Sequence, residues 1–185
     1  MKHKLICPWW MGYLLANPLR RLIHNPDDII SSYVRDGARI LEIGPGMGFF
    51  TIPMARMVGD NGKVYCVDIQ QKMLNALKRR VAKAGLSGII ETRLSSEHSF
   101  GVKDLGGSID FALLFAVVHE VPDPQFLFSE VYQSLRKGGT LLLSEPSGHV
   151  KRSEFDETIS IAERTGFSVI EEPEIRGEHS VLLIR

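Results

Sequence analysis

The sequence predicts an α/β protein built on an open, mostly parallel sheet. Three observations predict it. From about residue 37 onward, short apolar strands alternate with amphipathic helices, the pattern of repeated strand–helix–strand units. The run Ile109 to Val118 is nearly unbroken in its apolar character, as a strand covered on both faces must be. A first strand, Arg39 to Ile43, runs into three alternate glycines and then a helix, which is how such sheets build a ligand-binding turn.

The elements follow in order. Asn17-Pro18 and Asn25-Pro26 each offer an N-cap followed by proline at the first helical position, where the missing N–H costs nothing. Asp27 and Asp28 then fall in a first turn, where the helix dipole favours negative charge. Phe49 to Val58 reads as a helix that tolerates Pro53 near its start. Asp60-Asn61-Gly62 turns into strand Lys63 to Val67. Gln70 to Ala84 carries Met73, Leu74, Leu77 and Val81 at helical spacing and is closed by Gly85. A strand over Ile89 to Leu94 follows, then Ile109 to Val118, a helix Pro122 to Leu135 and, after Gly138-Gly139, strand Thr140 to Leu143. Ser153 caps a helix that runs to Thr165, and strands Phe167 to Glu171 and Ser180 to Ile184 finish the chain.

Composition narrows the function. The 185 residues carry 22 Lys plus Arg against 22 Asp plus Glu, with 44% hydrophobic residues. That apolar content excludes bulk disorder, and the even charge count argues against a nucleic-acid partner, which would draw a basic excess. Cys7 and Cys66 are too few for a disulfide framework, so a reducing, cytoplasmic setting is expected. No run is long enough for a membrane span. Lys2 and Lys4 ahead of Leu5 to Ala16 imitate a signal peptide, but Pro8, Gly12, Trp9 and Trp10 interrupt the run and Arg20-Arg21 follow it. Residues 1–36 are therefore expected to form a helical cap, and 37–185 the core, of one domain 1–185. A homodimer is left open.

The chemistry concentrates at the strand ends. Gly44, Gly46 and Gly48 follow the first strand in the spacing Gly-x-Gly-x-Gly, and position 49 is Phe. The dinucleotide fingerprint needs Gly-x-Gly-x-x-Gly, so a nicotinamide cofactor is disfavoured. Glu42 near the end of that strand would repel a pyrophosphate and suits a positively charged group instead. Asp68 ends the second strand about twenty residues past the glycines, the place from which a carboxylate can take both ribose hydroxyls. Together these indicate an adenosine-containing ligand without a diphosphate.

Glu42-x-Gly44-x-Gly46-x-Gly48, Val67-Asp68, Phe115 to Val121 and Lys137-Gly-Gly-Thr140 resemble the class I S-adenosylmethionine-dependent methyltransferases, most closely the small-molecule branch with the ubiquinone/menaquinone C-methyltransferases. The resemblance covers about residues 37 to 185. It implies a Rossmann-like, seven-stranded, mostly parallel sheet with one antiparallel strand and helices on both faces. It also implies S-adenosylmethionine as cofactor, held by Glu42, Gly44, Pro45, Gly46 and Gly48 at the methionine end and by Asp68 at the ribose, with Ile69 against the adenine. Where the family usually places an Asp for the adenine amino group, this chain has Arg93-Leu-Ser-Ser-Glu97. Ser95, Ser96 or Glu97 would have to serve there, and Phe115 completes the set.

Methyl transfer is an in-line displacement, governed largely by alignment, with a base needed only for a protonated nucleophile. His119 is the first candidate base because imidazole titrates near neutrality, the alternative being a histidine that orients its loop. Glu120 and His149 complete the catalytic candidates. Glu145 with His149 raises a metal-assisted alternative, but the separations carry no ligand-spacing signature and no metal site is assigned. Trp9 and Trp10 in the cap offer aromatic faces to an apolar substrate or a sulfonium, or simply pack. Cys66 is expected in the core, and Arg79, Arg80 and Lys83 on a solvated helix face. A small, apolar or aromatic acceptor fits a chain with no inserted domain. The competing classes are a nicotinamide oxidoreductase and a non-catalytic S-adenosylmethionine-binding subunit.

Overall fold

The computed structural model describes residues 24–96 and 99–185. The apolar segment with Cys7, Trp9 and Trp10, the first Asn-Pro pair and Glu97 lie outside the described residues. Seven strands form one sheet, in the spatial order Ile90–Leu94, Lys63–Asp68, Arg39–Ile43, Ile109–Phe115, Leu135–Pro146, Glu178–Ile184 and Ser168–Glu171. The chain divides into two compact units that meet in sequence between Gly101 and Val102.

Among its described residues, the first unit begins with α1 (Pro26–Ile30), whose Asn25 makes no side-chain cap bond although Pro26 takes the first position as expected. It continues through β1 (Arg39–Ile43), α2 (Thr51–Val58), β2 (Lys63–Asp68), α3 (Gln71–Lys83) and β3 (Ile90–Leu94). β1 and β2 pair in parallel with Glu42 opposite Cys66, and β2 pairs in parallel with β3 with Asp68 opposite Leu94. Ile40, Leu41, Val64 and Val67 are fully buried, each such side chain contributing about 1.5–3 kcal/mol. α2 starts two residues later than the sequence suggests. Residues 46–50 form turns, because the left-handed glycines before them delay the helix.

The second unit holds β4 (Ile109–Phe115), α4 (Pro124–Ser134), β5 (Leu135–Pro146), α5 (Arg152–Thr165), β6 (Ser168–Glu171) and β7 (Glu178–Ile184). β4 and β5 are parallel, and β7 runs antiparallel to both β5 and β6, as the resemblance implies. Phe111, Phe128 and Phe155 are almost wholly buried. Phe167 meets Phe128 and Tyr132 edge-on, at centroid distances of 6.2 and 5.1 Å, a favoured aromatic geometry.

Three boundaries differ from expectation for physical reasons. β4 ends at Phe115, not Val118, because Ala116 takes a left-handed φ of 56°. That conformation costs an alanine about 1–2 kcal/mol, and the Ala116 N–H donates to the Ser144 carbonyl at 2.8 Å. α4 starts at Pro124, since Asp123 rather than the chain before Pro122 caps it by accepting from Phe126 N at 2.9 Å. α5 starts at Arg152 rather than Ser153, with the Lys151 N–H donating back to the Glu154 carboxylate at 3.0 Å.

Candidate functional site

In the first unit the glycine turn carries the site. Gly44, Gly46 and Gly48 have φ of 72°, 53° and 88°, a region that excludes most side chains. A Cβ built on Gly48 would sit 2.6 Å from Leu77 Cδ1, whereas one on Gly46 would meet nothing within 4 Å. Gly48 is thus a packing requirement, and Gly46 borders open space. Gly44 N–H donates to the Val67 carbonyl at 2.9 Å and Gly48 N–H to the Pro45 carbonyl at 3.0 Å, so the turn is tied to β2 and to itself. Arg80 of α3 donates to the Met47 carbonyl at 2.7 Å. Arg80 is thus part of the turn's support, not of a solvated face.

Glu42 lies at 3% exposure beside this turn. Its Oε2 accepts from the Thr51 hydroxyl at 2.5 Å and from the Cys66 thiol at 3.7 Å. Burial pushes its carboxyl up to about 7, against the partial relief of those two bonds. The same burial, and then the neighbouring Glu42 charge, push the Cys66 thiol well up, so Cys66 is an inert core thiol, as expected.

Asp68 ends β2, partly buried, with its Oδ1 accepting from Gln70 N–H at 2.8 Å. Ile69 beside it is 44% exposed, which is unusual for an isoleucine placed between a strand and a helix. Ser95 N–H donates to the Asp68 carbonyl at 3.0 Å, which sets Ser95 next to the ribose candidate, and Ser96 closes a small bridge with Ser99. Glu42, Gly44, Pro45, Gly46, Gly48, Asp68, Ile69, Ser95 and Ser96 all lie at or just beyond the carboxyl ends of β1, β2 and β3.

In the second unit the carboxyl ends of β4 and β5 hold a different cluster. Phe115 closes β4 at 8% exposure. After Ala116 the chain makes a single 3₁₀ turn, Val118–Glu120. Glu145 of β5 is 1% exposed. Its Oε1 accepts from Val118 N–H at 2.6 Å and more weakly from His119 N–H at 3.4 Å, while its Oε2 meets His119 Nδ1. His119 Nε2 lies 3.8 Å from Glu120 Oε1, and the imidazole side chain keeps 31% of its surface exposed. His149 stands apart: it lies exposed in the turn after β5, with its backbone N–H donating to the Pro146 carbonyl at 2.9 Å. Among the described residues, no group of three or more His, Cys, Asp or Glu is arranged to hold a metal, and no helix is long and apolar enough to cross a membrane.

The sequence pointed to both strand-end clusters and missed their internal wiring. Thr51, Arg80 and the Glu145–His119 contact were not predicted. Their partners lie 9, 33 and 26 residues away, and no local period links residues at such separations.

Residues 41–143 match the family model described as a methyltransferase domain. A ubiquinone/menaquinone biosynthesis C-methyltransferase of Marinomonas is 27% identical over 135 residues, 73% of this chain and 53% of that protein. An arsenite methyltransferase of Halobacterium salinarum is 31% identical over 109 residues, 59% of this chain and 27% of that one. The chain spans about half or less of the length of these curated relatives. The crystal structure of a SAM-dependent methyltransferase from Aquifex aeolicus superposes with a TM-score of 0.86 at 23% identity, covering 97% of this chain and 100% of that one.

Proposed function

The chain belongs to the methyltransferase domain family, and from that premise we propose that it is an S-adenosylmethionine-dependent methyltransferase acting on a small acceptor of apolar or aromatic character. The observation that carries the reading is the left-handed glycine turn with a buried acid beside it and a second acid ending the next strand. S-adenosylmethionine supplies, when bound, a methyl group already activated on a sulfonium.

The residues present fit that cofactor. Open space at Gly46 lets a ligand reach the backbone. Both internal partners of Glu42 fall on Oε2, which leaves Oε1 for an ammonium group. Asp68 accepts ribose hydroxyls, exposed Ile69 offers an apolar face to adenine, and Ser95 stands beside them. Phe115, at the end of β4, is an apolar candidate for contact with the cofactor. His119, steadied by Glu145, is the base, with Glu120 and exposed His149 as further polar groups for the acceptor. The names of the relatives, one acting in quinone biosynthesis and one on arsenite, support a small-molecule acceptor, and the balanced charge supports it over nucleic acid. Cys66, a buried free thiol, supports a cytoplasmic setting.

The test is a thermal-shift comparison. S-adenosylhomocysteine is expected to raise the melting temperature and NADH to leave it unchanged. The reverse pattern would overturn the reading in favour of an oxidoreductase, and binding without any methyl transfer across a broad acceptor panel would favour a non-catalytic subunit.

A further inference from the structure

We infer that the second unit carries a ligand site of its own, a cavity beside the start of α5 that takes a small aromatic cation: a planar ring bearing an ammonium or amidinium group. The cavity measures about 500 Å³ and is lined by Arg152 of α5, the connection from β6 to β7 and the first residues of β7. That volume suits a small molecule. All of its lining residues belong to the second unit. Neither the glycine turn nor His119 and Glu145 line it.

His179 supplies the aromatic surface. Its imidazole lies over the Phe155 ring, with centroids 5.6 Å apart and planes tilted by 33°, and Phe155 itself is fully buried. Among the described residues the His179 ring has no hydrogen-bond partner, so packing on Phe155 sets its plane. The Arg152 guanidinium stands 6.0 Å from the same Phe155 ring and is paired with Asp156 at 2.7 Å and Glu172 at 3.1 Å. The chain thus already stacks one planar cation on an aromatic ring there and neutralises it with carboxylates. Pro173 and Ile175, both half-buried, add apolar surface from the connection. Charge decides the sign of the ligand. Arg152 and Arg176 match Glu172 and Glu178 in number, and Glu174 is the acid left over. Among the described residues the Glu174 carboxylate has no ion pair or hydrogen bond, so it meets a cation without giving up a partner. The connection is also pinned in place. Ser147 donates from both its N–H and its hydroxyl to the Gly177 carbonyl, at 3.0 and 2.9 Å, and Glu178 N–H donates to the Ile175 carbonyl at 3.0 Å. A segment held in this way loses little freedom when a ligand enters.

Calorimetric titration of the whole chain with phenethylammonium, benzamidinium, phenylpropionate and phenylethanol tests the site. Both cations are expected to bind at millimolar concentration or below, and the acid and the alcohol about tenfold more weakly or worse. Glu174 is an exposed side chain, so Glu174→Gln should fold normally and weaken both cations about tenfold, the worth of a charged hydrogen bond. His179→Ala removes the stacking surface and should weaken the cations about threefold or more, whereas His179→Phe keeps the stack on Phe155 and should hold them within about twofold of wild type. Failure of the wild type to bind either cation overturns the proposal, as does equal affinity for the acid or the alcohol. These comparisons stand even where a His179 variant fails to fold. Cation affinity untouched by Glu174→Gln, or by His179→Ala, overturns it as well.

Discussion

The Thr51 hydroxyl donates to Glu42 Oε2 across 2.5 Å, in a place where Thr51 is fully buried and Glu42 is 3% exposed. The first residue of α2 thereby anchors the acid of β1. The glycine turn that spans the two is closed by this bond at its base, and the carboxylate is held still beside it.

Glu42 makes stability depend on pH in an unusual direction. Burial pushes its carboxyl from an ordinary 4.5 up to about 7 in the folded protein. Between those values the folded state holds more protons than the unfolded one, so stability falls as pH rises. The stabilisation is present below the unfolded pKa, and its loss is complete above pH 7, amounting to about 3 kcal/mol. Urea denaturation at pH 5 and pH 8 measures this, and Glu42→Gln should flatten the difference. An equal pH slope in the variant would show that Glu42 is not its source.

Thr51→Val keeps the shape and removes the donor. The Glu42 carboxylate then loses its shortest partner inside the core, at a cost of about 1–3 kcal/mol. The loss should be larger at pH 8 than at pH 5, because only the ionised acid needs the bond strongly. Denaturation midpoints at the two values check it.

Gly46 and Gly48 should separate binding from folding. Gly48→Ala meets Leu77 Cδ1 at 2.6 Å in addition to its strained φ of 88°, so it should destabilise by about 1–3 kcal/mol. Gly46→Ala faces open space at φ 53° and should cost about 1 kcal/mol. Its methyl group should nevertheless weaken S-adenosylhomocysteine binding by tenfold or more. Melting curves and calorimetry on the two variants together provide the check, and undiminished affinity in Gly46→Ala would remove that glycine from the site.

Asp68→Ala should weaken S-adenosylhomocysteine by about 1.5–3 kcal/mol, the worth of hydrogen bonds to a charged group. Unchanged affinity by calorimetry would refute the ribose role. Because Asp68 also accepts from Gln70 N–H, the variant's melting temperature without ligand has to be read beside the binding result.

The fold was legible because its signals are local. Met73, Leu74, Leu77 and Val81 lie on the buried face of α3 as their spacing requires, and the Ile109 run became a strand buried at nearly every position. What the pattern could not place was where β4 stops. Ala116 and Val117 are as apolar as the residues before them, and only the left-handed backbone at Ala116, bonded to Ser144, turns the chain into the His119 loop. In the same way Gly138-Gly139 reads as a turn before a strand, whereas residues on both sides of it pair with β4, Leu135 opposite Ile109 and Thr140 opposite Phe111.

By itself the sequence determined the alternation of strands and helices, the glycine turn, and the acids at the ends of β1 and β2, since each depends on residue type and short-range spacing. The tertiary structure alone decided what those groups do to one another. It brought Cys66 and Thr51 onto one oxygen of Glu42, Arg80 onto the Met47 carbonyl, and Glu145 onto the ring and backbone of the His119 turn. These contacts arise from strand register and helix docking, which set residues far apart in the chain side by side, and burial then turns a hydrogen bond between them into a constraint on charge.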